Sequence, residues 1–257
     1  MKTLAAAVAA FAAGAFALPA LAADPAANSG ATSKKNIVIV PGEFIDGSGW
    51  HVVHDILSQK GYHVTVVAAA HATFDDDVAL ARRVLFQQFG NVVLVGNGIG
   101  GAVIGNVGSG AKVKALVYVA ALAPEVGESP LQLLHGTGGM PAAIAADFAG
   151  YHWADRARFH DDFAADLTPN RANFLAASQA PVGLAFLGTP SYAALWHTKP
   201  SYAVVATEDR ILAPDAQRMM YRRAHAHIVE IKGSHAVHMS RPEDVAQVIE
   251  RAARDTL

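Results

Sequence analysis

The stretch Asn91-Val92-Val93-Leu94-Val95-Gly96-Asn97-Gly98-Ile99-Gly100-Gly101-Ala102-Val103-Ile104 decides the reading of this chain. Five mostly β-branched residues run into a cluster of glycines, and an apolar helical pattern follows. The pattern predicts a buried strand, a sharp turn and the start of a helix. A G-x-S-x-G frame on such a turn holds a serine at the top of a sheet. Here the frame is Gly96-Asn97-Gly98-Ile99-Gly100, and Gly98 stands where that serine would be.

Outward from this stretch the same alternation repeats. Asn36 to Val40 is a β-branched strand ending at Pro41-Gly42, and Gly49 to Lys60 has helical spacing. His63 to Ala69 is a second strand, and Asp75-Asp76-Asp77 opens a helix to about Phe89, the carboxylates favouring its positive end. Val113 to Leu122, Ser201 to Thr207 and His227 to Ile231 are further strands. Pro214 to Ala224 and the segment from Arg241 are helices. Strands alternating with helices predict an α/β fold with a mostly parallel sheet covered on both faces. The alternation breaks from Pro124 to about Lys199, where prolines, glycines and aromatic residues predict a helical cap insertion over the sheet.

Composition sets the bounds. The chain has 257 residues, 52% hydrophobic and 16% charged, which suits one sizeable α/β domain over 36–257. A net charge of −2 gives no footprint for nucleic acid. With no cysteine, disulfides, thiol nucleophiles and zinc–thiolate sites are excluded. Residues 1–22 read as a signal peptide: Lys2, an alanine-rich apolar run, then Pro19-Ala20-Leu21-Ala22, to be cut before Ala23. Residues 23–35 read as a flexible leader. A periplasmic or secreted bacterial protein with no membrane span after cleavage is the expectation.

Three loops fall at the carboxyl ends of strands: the glycine turn, Glu208-Asp209 and Ser234-His235. The order elbow, acid, histidine is that of a hydrolase triad. With Gly42-Glu43-Phe44-Ile45-Asp46-Gly47-Ser48-Gly49-Trp50, Ala206-Thr207-Glu208-Asp209-Arg210 and Ser234-His235-Ala236-Val237, these motifs resemble the α/β-hydrolase superfamily over nearly all of 36–257. The likeness is to the small-esterase branch that holds plant methyl esterases and hydroxynitrile lyases. That resemblance implies Asp209 as the acid, with Glu208 as the adjacent alternative, and His235 as the base. It also implies the backbone N–H groups of Ile99 and Phe44 as the oxyanion hole.

The departures sit together. The branch reads His-Gly and a small residue in the first loop, where this chain has Pro41-Gly42 and Glu43. It reads Gly-His-Ser-x-Gly at the elbow, where this chain has Asn97 and Gly98. Gly98 has no atom with which to form an acyl-enzyme. Glu43, facing the pocket, would oppose a developing oxyanion or serve as an acid/base group. Ser48 and Ser109 lie in glycine-rich turns and read as turn residues.

Three functional readings follow. One is a pseudoenzyme that binds a small apolar or ester-like molecule, the second a serine-independent hydrolase or lyase using His235, Asp209 and Glu43. The third is a weak carboxylesterase. No cofactor or metal is expected: the histidine pairs His51/His54, His160 with Asp161-Asp162, His225/His227 and His235/His238 form no complete ligand set. Gly96 to Gly101 only superficially resembles a dinucleotide fingerprint, because it follows the third strand. Oligomeric state is not legible.

Overall fold

A computed structural model describes residues 35–108, 110–136 and 144–257. The segments 1–22 and 23–34, read as signal peptide and leader, and Ser109 lie outside the described residues.

In chain order, β1 (Asn36–Val40) leads through a 3₁₀ turn (Gly47–Trp50) into α1 (His51–Gln59). β2 (His63–Val66), α2 (Phe74–Gln87), β3 (Val92–Gly98), α3 (Gly100–Asn106) and β4 (Val113–Ala121) follow. The chain then leaves the sheet for α4 (Pro130–Gly136), β5 (Ile144–Ala146), β6 (Tyr151–Ala154), α5 (Phe159–Phe163), α6 (Pro169–Ala177), β7 (Val182–Gly183) and α7 (Leu184–Gly188). It returns as β8 (Ser201–Ala206), α8 (Pro214–Arg223), β9 (His227–Ile231), α9 (Val237–Ser240) and α10 (Pro242–Thr256). The main sheet is parallel in the order β2-β1-β3-β4-β8-β9. The excursion between β4 and β8 is not wholly helical: β5, β6 and β7 form a small antiparallel sheet. Strands this short carry too few residues to show a period-2 pattern in sequence.

The continuous apolar runs make sense because both faces of the sheet are covered. Val38, Val40, Val92 and Leu94 pack into one core with α2, α3 and the excursion. Their neighbours Ile37, Ile39, Val93 and Val95 pack into the other, with Trp50, Leu57, Val245 and Ile249 of the flanking helices. Successive strand side chains point to opposite faces, so a doubly covered strand is apolar throughout.

Asp75, Asp76 and Asp77 all lie in the first turn of α2, as the sequence reading has it. Thr73 caps the helix by accepting from the Asp76 N–H. Asp77 turns inward, accepting from the His71 and Ala70 amides and meeting His71 Nδ1 at 2.6 Å. It ties the β2–α2 loop rather than merely complementing the helix dipole.

Candidate functional site

The site grows from the carboxyl ends of β3, β8 and β9. β3 runs straight into the turn, extending to Gly98, two residues beyond the apolar run's first glycine. The turn is packed so closely that several positions exclude a side chain. A Cβ at Gly96 would lie 2.7 Å from the Gly100 carbonyl, and one at Gly101 would lie 2.2 Å from the Leu122 carbonyl. Those neighbours are backbone and cannot move aside. Gly98 is different. Its φ is +50°, a left-handed conformation that strains residues with a Cβ, and the atom its Cβ would strike is the Glu43 carboxylate, at 2.0 Å.

Glu43 is therefore the centre of the site. It follows β1 on the first loop, is buried, and its Oε2 accepts from the Ile99 N–H at 2.8 Å. The amide expected to serve as an oxyanion donor is thus bonded to the chain's own carboxylate. The second expected donor lies elsewhere: the Phe44 N–H donates to the Ala180 carbonyl, and the Ala180 N–H donates back to Phe44. This corrects the assignment of Phe44 to the oxyanion hole. Phe44 adopts φ +63°, and its amide is bonded to the excursion.

His235 stands on the other side of Glu43. Its Nδ1 is 2.7 Å from Asp209 Oδ2, and its Nε2 is 3.3 Å from Glu43 Oε1. The first is a well-formed hydrogen bond. The second has the separation of an ion pair without hydrogen-bond alignment, so among the described residues Nε2 is buried with no hydrogen-bond partner. Burial alone would push the imidazole pKa down. The charges of Asp209 and Glu43 outweigh it and hold His235 up, at about 10. For Glu43, burial pushes upward, but the His235 charge and the hydrogen bond from the Ile99 amide leave the carboxyl below its usual value. One imidazolium is thus clamped between two buried carboxylates.

Supporting groups fix this arrangement. Asp209 Oδ1 accepts from the Ile211 and Leu212 amides, and its Oδ2 accepts from Gln217 Nε2 at 2.8 Å. Glu208, the alternative acid, is instead exposed and 3.5 Å from Lys232. The histidine loop is held by Asp166 of the excursion, which accepts from the Ser234 amide and hydroxyl and from Ser240. Sequence reading missed both Gln217 and Asp166: no pattern joins residues 8 and 68 positions from their partners. His238 is buried and stacked on Trp50 at 4.6 Å; burial first, then the His235 charge, lowers its pKa to about 3. It stays neutral beside the charged imidazole.

Glu43 also lines a narrow apolar crevice, together with Phe44, Ile99, Leu134, Ile144, Val182, Leu187 and Ile211. His152, on β6, also lines it and is buried, and among the described residues its Nδ1 has no hydrogen-bond partner. The crevice is about 10 Å³, about the room of one water, so a larger ligand must part its walls.

The other histidines stand apart. His51 and His54 flank Asp55 on the exposed face of α1, and Asp162 pairs with Arg158 rather than His160. Among the described residues, no three histidine, aspartate or glutamate side chains gather as metal ligands, and no helix is long and apolar enough to cross a membrane. Ser48 is bonded to Asp46 in the 3₁₀ turn.

Comparison with known proteins agrees with the architecture. Residues 37–248 match the alpha/beta hydrolase family, so the chain belongs to it. No curated protein matches in sequence. Among solved structures, the pyrethroid hydrolase from Sphingobium faniae JZ-2 is 21% identical, with a TM-score of 0.71 over 85% of this chain and 97% of that one. Polyneuridine aldehyde esterase is 17% identical, with a TM-score of 0.73 over 85% and 98%. A variant of tomato methylketone synthase I, complexed with beta-ketoheptanoate, is 16% identical, with a TM-score of 0.73 over 86% and 98%. At these identities the likeness is one of fold.

Proposed function

We propose that this member of the alpha/beta hydrolase family binds a small, largely apolar molecule non-covalently and does not carry out serine-esterase chemistry. One observation carries the reading. The Glu43 carboxylate lies where a side chain at position 98 would project and accepts from the Ile99 amide. An ester carbonyl entering the site would meet a buried negative charge instead of a free N–H donor, the reverse of what a tetrahedral oxyanion needs. The charged His235 is also a poor general base near neutral pH.

The test is hydrolysis of short-chain aryl esters by the chain from Ala23, with fluorophosphonate labelling in parallel. No labelling, and no turnover that His235→Ala abolishes, is the expected result. Covalent labelling of the natural protein would overturn the proposal. Export, from the segment 1–22, belongs to the same proposal, and N-terminal sequencing of material from a bacterial periplasm or medium should begin at Ala23.

A second reading has its own support. Glu43, His235 and Asp209 form a continuous buried chain of titratable groups at 3.3 and 2.7 Å. Such a chain can move a proton to or from a bound molecule without any serine. Histidine-dependent turnover in the absence of labelling would favour it.

A further inference from the structure

We infer that the molecule taken by this site presents a hydrogen-bond donor, a hydroxyl or an amine, to Glu43, and that esters and carboxylates are selected against. The inference rests on the reading above that the crevice binds a small apolar molecule; it adds the polarity of that molecule's head.

The argument is one of complementarity. The crevice has apolar walls and two polar groups, Glu43 and His152. Of its two oxygens, Glu43 Oε2 is hydrogen-bonded to the Ile99 amide and Oε1 faces His235 only at ion-pair distance. An ionised carboxylate is an acceptor with about four lone-pair sites, so acceptor capacity remains for a ligand. The Ile99 and Phe44 amides, the backbone donors that could receive a carbonyl, already serve Glu43 and Ala180. Two carboxylates around one imidazolium also leave an excess negative charge. A ligand carboxylate would be repelled there, and an ester carbonyl would be buried against an acceptor. A buried polar group left without a partner loses more than a paired one gains. A hydroxyl or an ammonium group meets neither penalty.

His152 supplies the second polar contact. His152 lines the crevice, and its buried Nδ1 has no hydrogen-bond partner among the described residues. A buried unpaired nitrogen is costly, and a polar substituent on the ligand would satisfy it. His152 therefore adds affinity, whereas Glu43 sets the sign of the selection.

The experiment uses a matched set with one apolar body: benzyl alcohol, benzylamine, methyl benzoate and benzoate. Binding to the mature protein at neutral pH is measured by ligand-observed NMR and calorimetry. The alcohol and the amine should bind at least about tenfold more tightly than the ester and the acid, a difference of ~1.4 kcal/mol. Glu43→Gln should abolish that order, because a carboxamide offers both a donor and an acceptor. His152→Phe should weaken binding while keeping the order. Equal binding of all four, or an order set by His152 and not Glu43, overturns this inference and leaves the crevice reading standing. Binding of none overturns the crevice reading itself, and this inference with it. The order in the natural protein decides the matter even where Glu43→Gln does not fold.

Discussion

Placing a serine at position 98 tests the geometry most directly, because that position and Glu43 exclude each other. The Cβ of Gly98→Ser would lie 2.0 Å from Glu43 Oε2 and 2.8 Å from its Cδ. The carboxylate must swing away, losing its bond from the Ile99 amide. A hydrogen bond to a charged group is worth ~1.5–3 kcal/mol. The left-handed backbone at φ +50° adds about 1–2 kcal/mol for a residue with a Cβ. Gly98→Ser should therefore lose about 2.5–5 kcal/mol in urea unfolding, the sum of the two. In Glu43→Ala/Gly98→Ser the carboxylate is gone, so only the backbone strain remains on the serine. The double-mutant cycle should show a favourable coupling of ~1.5–3 kcal/mol between the two sites. Aryl ester hydrolysis and fluorophosphonate labelling, both dependent on His235, should appear in the double variant and not in Gly98→Ser alone. A single Gly98→Ser variant that is fully stable and already an esterase would refute the placement of Glu43, as would a coupling below about 0.5 kcal/mol, which is the scatter expected of independent sites.

Other consequences are as open to measurement. His235 has a folded pKa raised from 6.5 to about 10, so its contribution to stability is complete below pH 6.5 and is lost as the pH rises towards 10. Glu43 has a lowered pKa, so its contribution is complete above pH 4.5 and is lost as the pH falls through its folded value. Unfolding free energy should then peak between about pH 4.5 and 6.5 for these groups and decline by a few kcal/mol towards pH 10, and His235→Gln should remove that alkaline decline. Glu43→Gln should lower the imidazole pKa of His235 seen by NMR, since one of the two flanking charges is gone; an unchanged value would contradict the ion pair. Asp209→Asn removes the charged hydrogen bond at Nδ1 but leaves the Glu43 carboxylate beside the ring, so it should lower the His235 pKa seen by NMR and cost about 1.5–3 kcal/mol. Gly101→Ala, whose Cβ would meet the Leu122 carbonyl at 2.2 Å, should lower the melting temperature sharply, whereas Thr73→Ala at the start of α2 should cost only about 1 kcal/mol in urea unfolding.

Much of this protein was legible in the amino-acid order. The apolar runs at residues 37–40, 92–95 and 115–121 mark the parallel sheet, because strands covered on both faces are apolar at every position. The chain order of Gly98, Asp209 and His235 named three residues that lie at one edge of that sheet, since the loops after parallel strands all emerge on the same side. Glu43 stood out as a departure without revealing its place. Its carboxylate fills the space above Gly98 only because the first loop, entering from β1, crosses directly over the turn that ends β3, and strand adjacency is a property of the sheet and not of the sequence. The same is true of the lost Phe44 amide, which depends on Ala180 in the excursion, and of Gln217 and Asp166, which hold the acid and the histidine from far along the chain. Sequence therefore determined which residues reach the site, through local pattern and strand order. Tertiary packing decided which atoms face one another there, because charge, burial and hydrogen-bond direction are set by neighbours the chain meets only once it is folded.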